Sequence, residues 1–164
     1  MKLSVKKITL AELDLLMQWR MRVLDEVFSG EYAVLGSEKY NEVRGAVYQN
    51  NESYYKEHLS DDTHTACFAT DEETGMIVGC GGICFQKEMP SPDNLAGTNG
   101  YLMNIYTLPE VRGRGVGRQI VEYLIADAKE KGTEKIYLES SGAGKHLYEE
   151  MGFSDMKDYM KLTL

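Results

Sequence analysis

Between Arg112 and Arg118 the chain reads Arg-Gly-Arg-Gly-Val-Gly-Arg, after a strand-like run, Tyr101–Thr107, and ahead of a helical pattern. The first N–H groups of a helix have no partner inside it and lie at the positive end of its dipole. An anion placed there accepts several backbone hydrogen bonds at once. Glycines let the main chain approach such an anion closely, because no Cβ stands in the way. Three arginines and no acid in seven residues add local positive charge. The segment reads as a cradle for a pyrophosphate.

Such a cradle needs a strand to deliver the chain and a packed helix to hold it. The helix pattern supplies Val116, Ile120, Val121, Leu124 and Ala128 on one face, with Lys129, Lys131 and Gly132 at its end. Upstream, residues 3–8 suit a first strand, and Thr9–Glu12 is a capping box that opens a helix. Leu13, Leu16, Met17, Arg20, Val23, Leu24 and Val27 recur there at helical spacing. Gly30–Gly36 reads as a loop and Ser37–His58 as a second helix. Thr63–Thr70 and Met76–Gln86 read as strands of a hairpin, turned by Asp71–Gly75. Residues 87–100 form the clearest loop. Lys135–Ser140 is a further strand, Ala143–Met151 a short helix, and Tyr159–Leu164 a last strand. The pattern predicts an α/β (α+β) chain with helices covering a mixed sheet.

Composition narrows the function. The 164 residues predict a single domain over 1–164, and 43% hydrophobic residues are ample for a core. The net charge of −8 argues against nucleic acid as a partner, since phosphate binding needs clustered cations. The acid is uneven: the first hundred residues carry a net −7 and the remainder −1. The acidic part should therefore face something cationic, or serve solubility alone. No apolar run is long enough to span a bilayer, and the start has no secretory pattern, so no membrane partner and a cytoplasmic location are expected. Cys67, Cys80 and Cys84 read as reduced core cysteines. With His58, His64 and His146 they show no ligand spacing, and no metal is expected.

Several phosphate-binding patterns fail. A P-loop needs Gly-Lys-Ser/Thr where Gly117-Arg118-Gln119 stands, and a dinucleotide fingerprint needs a glycine at Arg118. The run instead resembles motif A of the GNAT N-acetyltransferase superfamily, Arg/Gln-x-x-Gly-x-Gly/Ala, which Arg112, Gly115 and Gly117 fit without a gap. Residues 143–153, AGKHLYEEMGF, resemble that family's second signature, a small helix carrying a tyrosine before Gly-Phe.

The resemblance implies a GNAT fold, a mostly antiparallel central sheet flanked by helices, and acetyl-CoA as co-substrate. Arg112, Gly113, Arg114, Gly115, Val116, Gly117 and Arg118 would then hold the pyrophosphate, mainly through backbone N–H groups. The main chain of Ile105, Tyr106 and Thr107 would pair with the pantetheine arm in the manner of an added strand. Ser141, where the family often has Asn, would be a polar contact to that arm. Tyr148 matches the tyrosine that acts as general acid toward the departing sulfur. No carboxylate lies on the central strand, so the base stays open among Glu31, Glu88, Glu139, Tyr101 and Tyr106. The resemblance implies N-acetyl transfer to a primary amine of a small cationic molecule, with the first two helices and the 87–100 loop shaping its pocket. A homodimer is the default expectation. A non-catalytic acyl-CoA-binding sensor or partner module is the alternative, favoured by the missing carboxylate and opposed by Tyr148.

Overall fold

The computed structural model describes residues 1–157 and 159–163. Five strands form one sheet in chain order: β1 (Leu3–Lys7), β2 (His64–Asp71), β3 (Ile77–Lys87), β4 (Thr98–Thr107) and β5 (Lys135–Leu138). Neighbours are antiparallel except β4 and β5, which run parallel. Helices α1 (Leu13–Val27) and α3 (Ser37–His58) pack on one face, joined by a short α2 (Ser29–Ala33). Helix α4 (Val116–Glu130) covers the other, and a short α5 (Lys145–Glu150) follows β5. This is the mixed α/β architecture expected from the patterning.

Local chemistry explains most boundaries. Thr9 donates its N–H to Glu12 Oε2 (2.8 Å) while its hydroxyl accepts from Ala11 N, the reciprocal capping expected there. A single 3₁₀ turn, Leu10–Glu12, then leads into α1. In the β2–β3 turn Gly75 takes φ +71° and donates to Asp71 O, while Asp71 Oδ1 accepts from Glu73 N. All five apolar residues foreseen on the buried face of α4 are at most 1% exposed. Expectations fail at Gly30–Gly36 and at the last strand. The Gly30–Gly36 segment is partly helical, because Tyr32 stacks against Phe28 and Tyr40 and those contacts outweigh the glycine's cost. No strand forms over residues 159–163, where Tyr159, Met160 and Leu162 are exposed and pair with nothing among the described residues; Leu164 lies outside them. Apolar composition alone does not make a strand: β5 is an edge of the sheet, and none of these described residues pairs with it.

Helix α4 sits unusually close to β3. A Cβ built on Gly81 would come within 2.8 Å of Ile105 Cδ1 and nearer still to Ile120. The glycines therefore set how deeply α4, and with it the turn before it, settles on the sheet. Gly81→Ala is expected to lower stability by about 1–3 kcal/mol, read by chemical denaturation.

On the opposite face His64 is 1% exposed, between the rings of Tyr54 and Tyr55, with its Nδ1 3.2 Å from the Tyr54 hydroxyl. Burial, and then the charges of His58 and Arg20, push its pKa down to about 4 from 6.5. The fold thus favours neutral imidazole, and the unfolded chain binds the extra proton. That contribution is complete above pH 6.5 and is lost as pH falls toward 4, on the order of 3 kcal/mol. A His64→Gln variant should show a shallower loss of stability across pH 6.5 to 4 than the parent protein.

Candidate functional site

Beyond Leu102 the sheet opens. Strands β4 and β5 pair only over Asn99–Leu102 and Lys135–Leu138, and Met103–Thr107 continues without β5 beside it. A bulge marks the parting: Gly82 faces Met103, Cys80 faces Tyr106, and Asn104 takes φ +58° between them. The N–H and C=O groups of this half of β4 that face away from β3 form a free edge, the kind that accepts an extended chain. Ile105, Tyr106 and Thr107, expected to pair with the cofactor arm, lie on it.

The cradle follows at once. After Leu108 a 3₁₀ turn, Pro109–Val111, swings the chain over, and Gly113 and Gly115 take φ +76° and +80°. Both occupy left-handed conformations that a side chain resists. Gly115 caps α4, and the helix's first turn holds no acid. The N–H groups of Gly113, Gly115, Val116, Gly117 and Arg118 find no acceptor among the described residues. Five donors around one helix start are what a pyrophosphate requires.

The arginine side chains behave differently from the simple cationic cluster expected. Arg112 donates from Nη2 to Glu26 Oε1 (2.8 Å) and from Nε to Thr107 O, with its guanidinium 5.7 Å from the centre of the Tyr106 ring. Glu26 Oε2 also accepts from the Tyr106 hydroxyl (2.7 Å). The bonds from Tyr106 and then Arg112 hold the Glu26 carboxyl below its ordinary range. Arg118 pairs with Glu150 of α5. Arg114 alone has no carboxylate partner among the described residues. Positive potential at the cradle therefore comes from backbone N–H groups and Arg114, with Arg112 and Arg118 bracing the loop. Sequence reading missed Glu26 because its partners are 80 and 86 residues away.

Tyr148 of α5 is half-buried, with its ring 5.7 Å from that of Phe153 and its hydroxyl free of hydrogen bonds among the described residues. Burial raises its pKa, so the phenol stays protonated at neutral pH. It lines a groove of about 720 Å³ with Ile125, Leu138, Ser140, Met151 and Phe153. Ser141 spends its hydroxyl on the turn into α5, accepting from Gly144 N at 3.2 Å.

Of the base candidates, Glu88 and Glu139 line the same groove as Tyr148, Glu31 lies in α2, and Tyr106 donates to Glu26. Glu88 accepts from Asn94 and lies 3.9 Å from Lys135, at the far end of β4. Glu139 lies beside Tyr101, whose pKa is raised first by burial and then by that carboxylate. The 87–100 loop is corrected in length. Lys87 belongs to β3 and Thr98–Gly100 to β4; the residues between are tied to the start of β5 through Ala96 N–Glu134 and Asp93–Lys135, and Thr98 Oγ1 donates to Gly132 O just after α4. The loop lies a strand length, about 30 Å, from the cradle, while Glu88 at its start lines the groove that holds Tyr148. No three His, Cys, Asp or Glu side chains among the described residues converge as metal ligands. Among those residues no helix is long and apolar enough to cross a membrane.

The sequence model of the Acetyltransferase (GNAT) family matches residues 29–153. The chain is 28% identical over 94 residues to glucosamine 6-phosphate N-acetyltransferase of Arabidopsis thaliana, covering 57% of this chain and 61% of that protein. It is 39% identical over 57 residues to the [ribosomal protein bS18]-alanine N-acetyltransferase of Haemophilus influenzae, covering 34% and 39%. The chain thus spans less than two thirds of the curated relatives it matches. In fold it is similar to a predicted acetyltransferase with acetyl-CoA from Clostridium acetobutylicum, with TM-score 0.80, 23% identity and coverage of 99% and 96%.

The open donors make a direct prediction. Gly115→Ala should weaken inorganic pyrophosphate binding at least tenfold by calorimetry, while left-handed strain costs about 1–2 kcal/mol of stability. Unchanged affinity would remove the cradle from anion binding. A β-branched residue such as Val at Gly115 would confound the two effects, since φ +80° strains it whatever the ligand does.

Proposed function

For a chain that belongs to the GNAT family of acetyltransferases, we propose transfer of an acetyl group from acetyl-CoA to the primary amine of a small molecule, with Tyr148 as general acid. The observation that carries this reading is the continuity of β4's free edge with five unpaired N–H groups at the start of α4. Acetyl-CoA supplies an activated acyl group as its thioester. The cradle residues Arg112–Arg118 would hold its pyrophosphate, and the main chain of Ile105, Tyr106 and Thr107 would align its arm along β4. Ser141, which caps the turn into α5, stands close enough in sequence to Tyr148 to contribute a polar contact at the same end.

In the reaction the amine nitrogen forms a bond to the acyl carbon as the carbon–sulfur bond breaks. The attacking amine loses a proton to water, and the Tyr148 phenol gives one to the departing sulfur. The half-buried, protonated phenol suits that role. A small-molecule acceptor is supported by the Arabidopsis relative, whose activity is on an amino sugar phosphate. The acidic first hundred residues favour approach of an ammonium group. A cytoplasmic location and a homodimer accord with this reading.

The test is release of coenzyme A thiol from acetyl-CoA across a panel of amines. Turnover is expected with at least one small primary amine. Tyr148→Phe should lower kcat about a hundredfold or more while leaving the amine KM nearly unchanged. Tight coenzyme A binding with no turnover on any amine class would replace the enzyme with an acyl-CoA-binding module. An unaltered rate in Tyr148→Phe would remove that residue from the chemistry.

A further inference from the structure

We infer that Arg20 determines acceptor specificity by receiving an anionic group, a carboxylate or a phosphate, carried by the same molecule that presents the amine. The inference rests on the acetyl-transfer reading for the identity of that molecule, and on geometry for the anion.

Arg20 sits on the face of α1 that otherwise buries Leu13, Leu16 and Met17, and is itself half-buried. Its Nε donates to Asn51 Oδ1 of α3 (2.8 Å) and its Nη1 to Asn104 Oδ1 of β4 (3.1 Å). A guanidinium has five N–H donors, so these two bonds leave the larger share unused. Among the described residues no carboxylate lies within 4.0 Å of it. A partly desolvated charge without a counter-charge costs stability unless a ligand supplies the missing partner.

The holding groups are informative. Both partners are neutral amides, which orient the guanidinium without cancelling its charge. Asn51 is itself fixed by donation from Nδ2 to Val47 O (2.8 Å), so the fork is set in place before any ligand arrives. Asn104 is the bulge residue at φ +58°, where β4 leaves β5 and where an acyl carbon laid along Ile105–Thr107 would be presented.

The surrounding charge agrees. Arg22 lies 5.7 Å from the Trp19 ring centre and 6.0 Å from that of Tyr106, also without a carboxylate partner among the described residues. Arg112 shares Glu26 with Tyr106. Around Asn104–Tyr106 three guanidiniums thus face one carboxylate, in a chain whose net charge is −8. Overall acidity draws an ammonium toward the protein, but the charge beside the bulge suits an anion. One molecule satisfies both when it carries an amine and an acid group. A guanidinium fork is matched in shape to carboxylate and phosphate oxygens.

The test uses matched acceptor pairs that differ only in the anion: glucosamine 6-phosphate against glucosamine, and α-amino acids against their amides. Two readouts are taken, kcat/KM for thiol release and calorimetric affinity with the protein saturated in coenzyme A. In at least one pair the anionic member should be favoured roughly tenfold to a hundredfold, and which pair shows it separates phosphate from carboxylate. Arg20→Gln should erase that ratio by weakening the anionic member far more than the neutral one. Arg20→Lys, which keeps charge and loses the fork, should fall between and guards against a folding defect in the first variant. No preference in either pair, or equal losses on both members in Arg20→Gln, would overturn the inference, because a mere brace for α1, α3 and β4 acts on both alike. If no amine turns over but the binding preference stands and depends on Arg20, the transfer reading fails while the anion site holds.

Discussion

Backbone polar groups left without partners organise this molecule. In a packed domain nearly every such group is paired. Here the second half of β4 lacks a neighbour on its β5 side, and the next five free N–H groups follow within a few residues. An extended edge that runs into a helix start forms one continuous surface for a ligand with an extended arm and a charged end. The rest of the fold keeps that surface from closing. Helix α4 is held by five fully buried side chains and by its close approach to Gly81, so its N-terminus cannot turn away. The pairing of β4 with β5 ends at Leu102, and the Asn104 bulge follows two residues on.

Electrostatics refine this surface more than composition suggests. Two of the three arginines of the glycine-rich turn are spent on Glu26 and Glu150, which ties that turn to α1 on one side and to α5 on the other. Glu26 is bound to both the loop and the central strand, through Arg112 and Tyr106. Helix α1, the central strand and the turn before α4 therefore share one hydrogen-bonded junction. The net charge of −8 describes the far field that steers encounter, while the guanidiniums beside Asn104 set the near field that a bound molecule meets.

Much of this was legible in order and spacing. The capping box at Thr9, the turn at Asp71–Gly75, the buried stripe of α4 and the glycine-rich start of that helix are local patterns, each decided by residues within a turn of one another. The failures were non-local. Tyr159–Leu162 have the composition of a strand, but a strand exists only where its backbone pairs with another, and these residues pair with none of the five strands. The segment after Phe28 looks like a glycine loop, yet aromatic contacts with Tyr40 draw it into a helical turn. The loop read over 87–100 is shorter than its composition suggests, because β3 and β4 stay paired as far as Lys87 and Thr98.

The sequence by itself determined where unpaired backbone donors gather, since glycines and a helix start are properties of one contiguous segment. Only the tertiary structure decided what the charged side chains around it do. Arg20 reads in sequence as one more position on a buried helical stripe, and its lone charge among apolar neighbours was the available signal. Its meaning depends on Asn51 and Asn104, 31 and 84 residues away, which present amide oxygens in place of a carboxylate. Whether an arginine is neutralised, braced or left free depends on distance in space, and spacing along the chain carries no record of that.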